Sequence, residues 1–474
     1  MSDPIVTTTE GAVRGRTDTA HVFLDIPYAA PPIGSARFAA PGPHQPWPGV
    51  RDATRPGPTA PQPRRDGFGK LDMSPYFGPG WIPGADYLTV TVWAPQQARN
   101  SPVMVFVHGG GFVSGSSRAP LYDGTAFARD GVVLVTVNYR LGIPGFLDLP
   151  GAPANRGMLD IIAALRWVQR NIAQFGGDPD NVTLFGQSAG ATIVGGLLAD
   201  PEAANLFHRA IVQSGNGLGA FSLEQAARVT HAAADALGIG PTAMDFADIP
   251  DERLVALMPK LTGLDLRTET SSDPLAGFSP FSLVLDRQPA EAVAAGAGAG
   301  AGAEVPLIVG TNTREANLYL VPQRNSTTEA ELYATAARID TDPEKLIARY
   351  RARYPQATPE DLQSTLLGDA LFGTGSRHLA DAHVTRRAAP TYTYEFDWQS
   401  AASNGRLGAA HTVELPFVFD LLNLPALHGP RGLLGPAEAP PVLAARMHGA
   451  WVQFAHTGDP GWAPPQTHRF TERG

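Results

Sequence analysis

The sequence predicts an α/β fold, with a mostly parallel central sheet covered by helices on both faces. Short continuous apolar runs recur along the chain, as strands buried on both faces require. Segments with apolar residues spaced three and four apart lie between them, and such alternation builds parallel strands flanked by helices. A serine between two glycines stands where one of the runs passes into a helical segment.

Taken in order, Ile5 to Leu24 alternates apolar and polar residues around Gly11 and Gly15, which predicts short antiparallel strands at a sheet edge. Residues 28–67 are rich in proline and glycine and read as loop. Tyr87 to Trp93 alternates again, as a further strand. Val103 to Val107, Val132 to Val137, Val182 to Phe185, Ala210 to Val212, Val305 to Val309 and Thr391 to Phe396 are the buried runs. Met158, Ile162, Leu165, Val168 and Ile172 form one apolar stripe on a helix, which Gly176-Gly177 ends. A second helix follows Ser188. Two helical, polar stretches, at about 220–300 and 323–385, read as insertions over the carboxyl edge of the sheet, where ligand sites of such folds lie. Ala294 to Ala303 reads as a flexible alanine-glycine connector. Length alone predicts about three domains at ~150 residues each, but the alternation predicts one domain over residues 1–474.

The net charge of −9 is a poor match for nucleic acid or an anionic membrane surface. The chain has no cysteine, which excludes disulfides, thiolate metal sites and a cysteine nucleophile. No stretch approaches ~18 uninterrupted apolar residues, so no membrane-spanning helix is expected. Met1-Ser2-Asp3-Pro4 opens no basic and apolar leader, and a cytoplasmic location is expected.

Gly186-Gln187-Ser188-Ala189-Gly190 follows one buried run and precedes the apolar segment Ala191 to Leu198. A serine raised on a strained strand-to-helix turn needs glycine two residues either side, because larger side chains there would collide. The helix beginning at that turn aims its N–H groups and dipole at developing negative charge. Ser188 is therefore the expected nucleophile. His108-Gly109-Gly110-Gly111-Phe112 follows another buried run. Its bare backbone can approach a ligand closely, and its amides can face an oxyanion. Gly110, Gly111 and the residue after the nucleophile, Ala189, are the expected oxyanion hole. A phosphate cradle fits poorly, since no P-loop lysine follows. His108 is expected to brace the glycine loop by hydrogen bonds.

Together these segments resemble the type-B carboxylesterase family, which includes bacterial p-nitrobenzyl esterases and the animal cholinesterases. The likeness spans nearly the whole chain. It is carried by Ile26 to Gly34 with Arg37-Phe38, His108 to Phe112, Val137 to Gly142, Gly145 to Leu147, Asn155 to Leu159, Asn171 to Pro179, Val182 to Ala191 and Gln213 to Gly215. The resemblance implies an α/β-hydrolase fold with helical insertions covering the active site. It also implies two partners for Ser188. Gly310-Thr-Asn-Thr-Arg-Glu315 matches the family's acid segment, so Glu315 is the implied acid. His411-Thr-Val-Glu414-Leu-Pro-Phe417 matches the family's histidine segment, so His411 is the implied base. From the residues alone, His411 is one of twelve histidines, and Glu315 competes with Glu304 and Asp286.

The implied function is a serine carboxylesterase that hydrolyses short- to medium-chain carboxylic esters through an acyl-enzyme. It would need an ester and water, and no metal or organic cofactor. A monomer is favoured. The alternatives are a carbamate or amide hydrolase or a lipase using the same residues, and a non-catalytic binding protein. Several features depart from the family pattern. Ala85-Asp86-Tyr87-Leu88 lacks the family's loop cysteine, so the loop at about 60–85 is expected to be short and mobile. Gln187 replaces the cholinesterase glutamate, which argues against choline esters. Asn216 replaces a serine and is expected to hydrogen-bond near the acid. The chain ends soon after Trp462, which predicts loss of a terminal helix or strand. Phe112, Phe417 and Trp81 are the aromatic residues considered for the pocket wall.

Overall fold

Ten strands form the central sheet of the computed structural model, which describes residues 3–269, 271–296, 304–323 and 326–472. In chain order they are β1 (Arg16–Thr17), β2 (His21–Pro27), β3 (Thr89–Ala94), β4 (Ser101–Val107) and β5 (Val133–Val137). There follow β6 (Gly177–Gln187), β7 (Arg209–Gln213), β8 (Leu307–Asn312), β9 (Thr391–Phe396) and β10 (Thr467–Phe470). Their order across the sheet is β10-β9-β8-β7-β6-β4-β5-β3-β2-β1. The edge formed by β1, β2 and β3 is antiparallel, and β3 also meets β5 antiparallel. From β5 across to β10 every neighbouring pair is parallel. The chain thus has the mostly parallel sheet of an α/β-hydrolase fold.

Two expectations need correction. The segment Ile5 to Leu24 does not all join this sheet, because Ile5–Thr7 and Ala12–Arg14 form a separate small sheet with Val50–Asp52. The chain end does supply terminal elements. A helix covers Pro441–Thr457, and β10 pairs with β9 in the register Thr393↔Thr467. β10 is only four residues long and mostly exposed, so it carries no apolar run.

Successive side chains of a strand point to opposite faces, and β4 divides accordingly. Val103, Val105 and Val107 enter the core on one side with Ile162 and Trp167, while Met104 and Phe106 enter the other with Phe419 and Trp451. All five β4 side chains are fully buried, each contributing about 1.5–3 kcal/mol relative to exposure. The amphipathic helix α1 (Arg156–Asn171) buries Met158, Ile162, Leu165 and Val168 of the predicted stripe, and Ile172 is buried in the turn that follows. After one further turn the chain is stopped by Gly176 at φ 82°, a conformation glycine adopts without strain. On α1, Asp160 accepts from Arg140 Nε at 2.9 Å and Nη2 at 2.7 Å, with both side chains fully buried. Removing either partner of such a pair costs about 3–5 kcal/mol. This pair fixes the loop after β5 against the helix.

The helix after Ser188 is α2 (Ala189–Leu197). The two predicted helical stretches are present. The first contains α3 (Leu223–Leu237) and α4 (Pro289–Ala295), but much of residues 262–269 and 271–288 is irregular. The second contains α5 (Glu329–Ile339), α6 (Pro343–Arg353), α7 (Pro359–Gly368) and α8 (Thr374–Arg386). Capping boxes start α3, α5 and α7, with Ser222 and Gln225, Thr328 and Glu331, and Thr358 and Asp361 satisfying each other's backbone donors. Most of the expected connector at 294–303 lies outside the described residues. Among the described residues no helix is long and apolar enough to cross a membrane.

Candidate active site

Parallel register brings several strand ends to one rim. Gly186 stands opposite Val107, Gln187 opposite Gln213, and Gln213 opposite Gly310. The loops following β4, β6, β7 and β8 therefore leave the sheet side by side, and that after β9 folds back onto them.

Ser188 occupies the turn between β6 and α2 with φ 58° and ψ −127°. Left-handed backbone of this kind costs a non-glycine residue about 1–3 kcal/mol. The flanking glycines have a measurable reason. A Cβ on Gly190 would lie 2.1 Å from the Val107 oxygen, and one on Gly186 would lie 2.7 Å from the Gly190 carbonyl carbon. Further non-glycine residues at positive φ gather here, namely Phe112 at 64°, Ser214 at 50° and Thr412 at 75°.

The glycine loop is equally constrained. Gly110 has φ 111°, and a Cβ there would meet the Ser114 oxygen. Among the described residues the amides of Gly110, Gly111 and Ala189 donate to no backbone or side-chain acceptor, and all three residues line one pocket with Ser188 and His411. The Ser188 amide is differently employed, donating to the Gln213 oxygen at 2.9 Å. His108 braces this loop as expected. Its Nδ1 lies 2.8 Å from the Gly109 oxygen, its ring stacks on Tyr139, and Tyr139 donates its hydroxyl proton to the His108 carbonyl. Burial pushes the His108 pKa down to about 4, so the ring is neutral.

Glu315 follows β8, and His411 follows β9. His411 Nδ1 lies 2.7 Å from Glu315 Oε2, and both side chains are almost fully buried. Glu315 is held by two further donors to Oε1, the Ser214 hydroxyl at 2.5 Å and the Asn312 amide at 2.7 Å. No hydrogen bond joins the Ser188 hydroxyl to His411 among the described residues. The His411 Nε2 atom instead lies 3.3 Å from Gln187 Nε2. Such contacts are often long in ligand-free sites and tighten around substrate. Phe372 stacks on the imidazole with ring centroids 4.1 Å apart and planes 15° apart. It sits in a π turn, Asp369–Gly373, inserted between α7 and α8.

The structure places several expected residues elsewhere. Ser214, not Asn216, bonds Glu315. The Asn216 side chain contacts the backbone at Pro274, Leu218 and Ala370 while bordering the pocket. The Gln213-Ser-Gly segment contained the signal for Ser214, but only the bonded geometry assigns it. Gln187 is fully buried, with Oε1 accepting from Tyr76, and it does not line the pocket. Its neutrality is therefore no direct guide to cationic substrates. The loop at 60–85 is tied down. Gln62 exchanges two hydrogen bonds with the Gly115 backbone, and Thr59 bonds Gly80 and Ile82. This loop supplies Arg65, Phe68, Tyr76 and Phe77 to the pocket. Of the considered aromatics, Phe112 lines the pocket. Phe417 is core, packed on Phe396 and Trp398, and Trp81 is half-buried outside the wall.

A second carboxyl lies beside the first. Glu414 is fully buried, and its Oε2 accepts from Asn312 Nδ2 at 2.6 Å. Burial, and next the Glu315 charge, push its pKa from 4.5 up to about 7. The folded chain thus retains a proton that the unfolded chain releases near 4.5. The stability this group supplies is full below that value and is lost as pH rises through about 7. Glu414→Gln is expected to stabilise the protein at pH 8, by up to roughly 3 kcal/mol, and to give no such gain at pH 4. Chemical denaturation at the two pH values measures it, and an equal effect at both would contradict this origin.

Among the described residues no group of three or more histidine, aspartate and glutamate side chains is placed to hold a metal ion. The model of the Carboxylesterase family matches residues 2–472. A para-nitrobenzyl esterase of Bacillus subtilis is 36% identical over 97% of this chain and 91% of its own length. A phenmedipham hydrolase of Pseudarthrobacter oxydans is 35% identical over the same shares. The solved structure of a Geobacillus stearothermophilus carboxylesterase superposes with a TM-score of 0.81 at 35% identity, covering 99% of this chain and 96% of that one. The chain belongs to the carboxylesterase family and is a carboxylic-ester hydrolase.

Proposed function

We propose that the chain hydrolyses short- to medium-chain carboxylic esters through an acyl-enzyme on Ser188. One observation carries this reading. A strained serine, a glutamate-bound histidine and three undirected backbone amides converge on one pocket. In this reading His411 Nε2 takes the Ser188 proton as Oγ attacks the ester carbonyl. Glu315 holds the Nδ1–H and stabilises the imidazolium that forms. The amides of Gly110, Gly111 and Ala189 receive the oxyanion, each such donor being worth ~3 kcal/mol in the transition state. His411 then returns the proton to the leaving alcohol. Water, deprotonated by His411, attacks the acyl carbon and frees Ser188. Residues 1–474 act as one catalytic domain, with the two helical stretches forming the pocket roof.

A pocket volume of about 80 Å³ between Phe77, Phe112 and Leu318 favours small acyl groups. A panel of p-nitrophenyl esters from C2 to C12 tests this. The highest kcat/KM is expected at short chains, with a steep fall by C12. A maximum at C12 with activation at an oil–water interface would make the enzyme a lipase instead. Carbamate hydrolysis by the same residues is the second reading, favoured by the likeness to a phenmedipham hydrolase.

A further inference from the structure

Arg65 is the one permanent cation among the side chains lining the pocket, and no aspartate or glutamate shares that wall. Its guanidinium lies over the Phe68 ring at 4.6 Å and the Phe77 ring at 5.0 Å. Such contacts hold the cation against the rings without using its five N–H donors as hydrogen bonds to them. Among the described residues none of those donors reaches a carboxylate or carbonyl oxygen. The neighbouring Asp66 is taken by Arg64, whose Nε lies 2.6 Å from it. Nη1 points toward the glycine loop, 3.9 Å from where a Cβ on Gly111 would stand. Burial lowers the Arg65 pKa from its usual value, and no carboxylate offsets this. The group nevertheless stays charged, as arginine does.

A partly buried guanidinium with no counter-ion keeps its charge unpaired, and its fork fits a carboxylate with two parallel hydrogen bonds. We infer that Arg65 receives a carboxylate carried by the substrate itself, so that favoured substrates are esters with an ionised carboxylate a few bonds from the scissile carbonyl, such as monoesters of dicarboxylic acids. This rests on the reading of Ser188 as the nucleophile of the same pocket.

The test compares monoethyl glutarate with ethyl pentanoate, which has the same acyl carbon count and no carboxylate, by pH-stat titration of the full-length enzyme. The ratio of their kcat/KM values is expected to exceed one. Arg65→Met should lower that ratio about ten- to a hundredfold, the range of a charge-assisted hydrogen bond, and Arg65→Lys should lower it less. A ratio below one in the unaltered enzyme, or one that Arg65→Met leaves unchanged, overturns the inference. Should Arg65→Met fail to fold, free glutarate decides. It should inhibit ethyl pentanoate turnover competitively and more tightly than uncharged glutaramide, and equal inhibition overturns the inference. Failure to hydrolyse either ester would instead count against the esterase reading.

Discussion

Ser188→Ala is expected to lower kcat toward short p-nitrophenyl esters by about 10⁶, the loss that follows removal of a triad serine elsewhere. The size follows from what remains. Without Oγ no acyl-enzyme forms, and His411 is left to activate water in a pocket shaped for another nucleophile. The residual rate, about 10³–10⁴ above water, comes from oxyanion stabilisation and binding. Folding should survive, because alanine keeps the Cβ that the turn already accommodates at φ 58°. An unchanged unfolding midpoint checks that point. Retention of more than a few per cent of activity would exclude Ser188 as the nucleophile.

Glu315→Gln is expected to lower kcat by about 10⁴, with little change in KM. The 2.7 Å contact to His411 Nδ1 fixes which ring nitrogen carries the proton. An amide can turn its NH₂ toward Nδ1, which then presents the other tautomer, with Nε2–H facing the serine. Only the attacking step is lost, so ground-state binding is preserved. The Ser214 hydroxyl and the Asn312 amide, which both donate to Oε1, keep the replacement carbonyl in place. Steady-state kinetics measure this, and a variant impaired mainly in KM would argue that Glu315 shapes the pocket instead.

The parts of the site that are local in sequence were legible in sequence. Ser188 with its flanking glycines, and the Gly110-Gly111 loop, each combine a strand end, a turn and a backbone constraint within a few residues. Glu315 and His411 are different. They lie 96 residues apart, and nothing in either segment alone states that they touch. Only the family likeness joined them before the fold did. Ser214 shows the same limit, because its role depends on which face of β8 its loop meets. Phe372 reaches the imidazole through a π turn with no hydrophobic periodicity to announce it. In the fold, strands buried on both faces were readable because burial forces continuous apolar runs. β10 was not, because an edge strand with one buried residue needs no such run. The 60–85 loop differs from expectation because the bonds of Gln62 and Thr59 join residues far apart in sequence, and a missing cysteine says nothing of them.

The central claim is that the Ser188 oxygen becomes acylated. The most direct measurement is stoichiometric inactivation with diethyl p-nitrophenyl phosphate, followed by mass spectrometry of the digested protein. One diethylphosphoryl group per chain is expected, on the peptide containing Ser188, with activity lost in proportion. A modified chain carrying that group on any other residue, or full activity with Ser188 phosphorylated, would contradict the account.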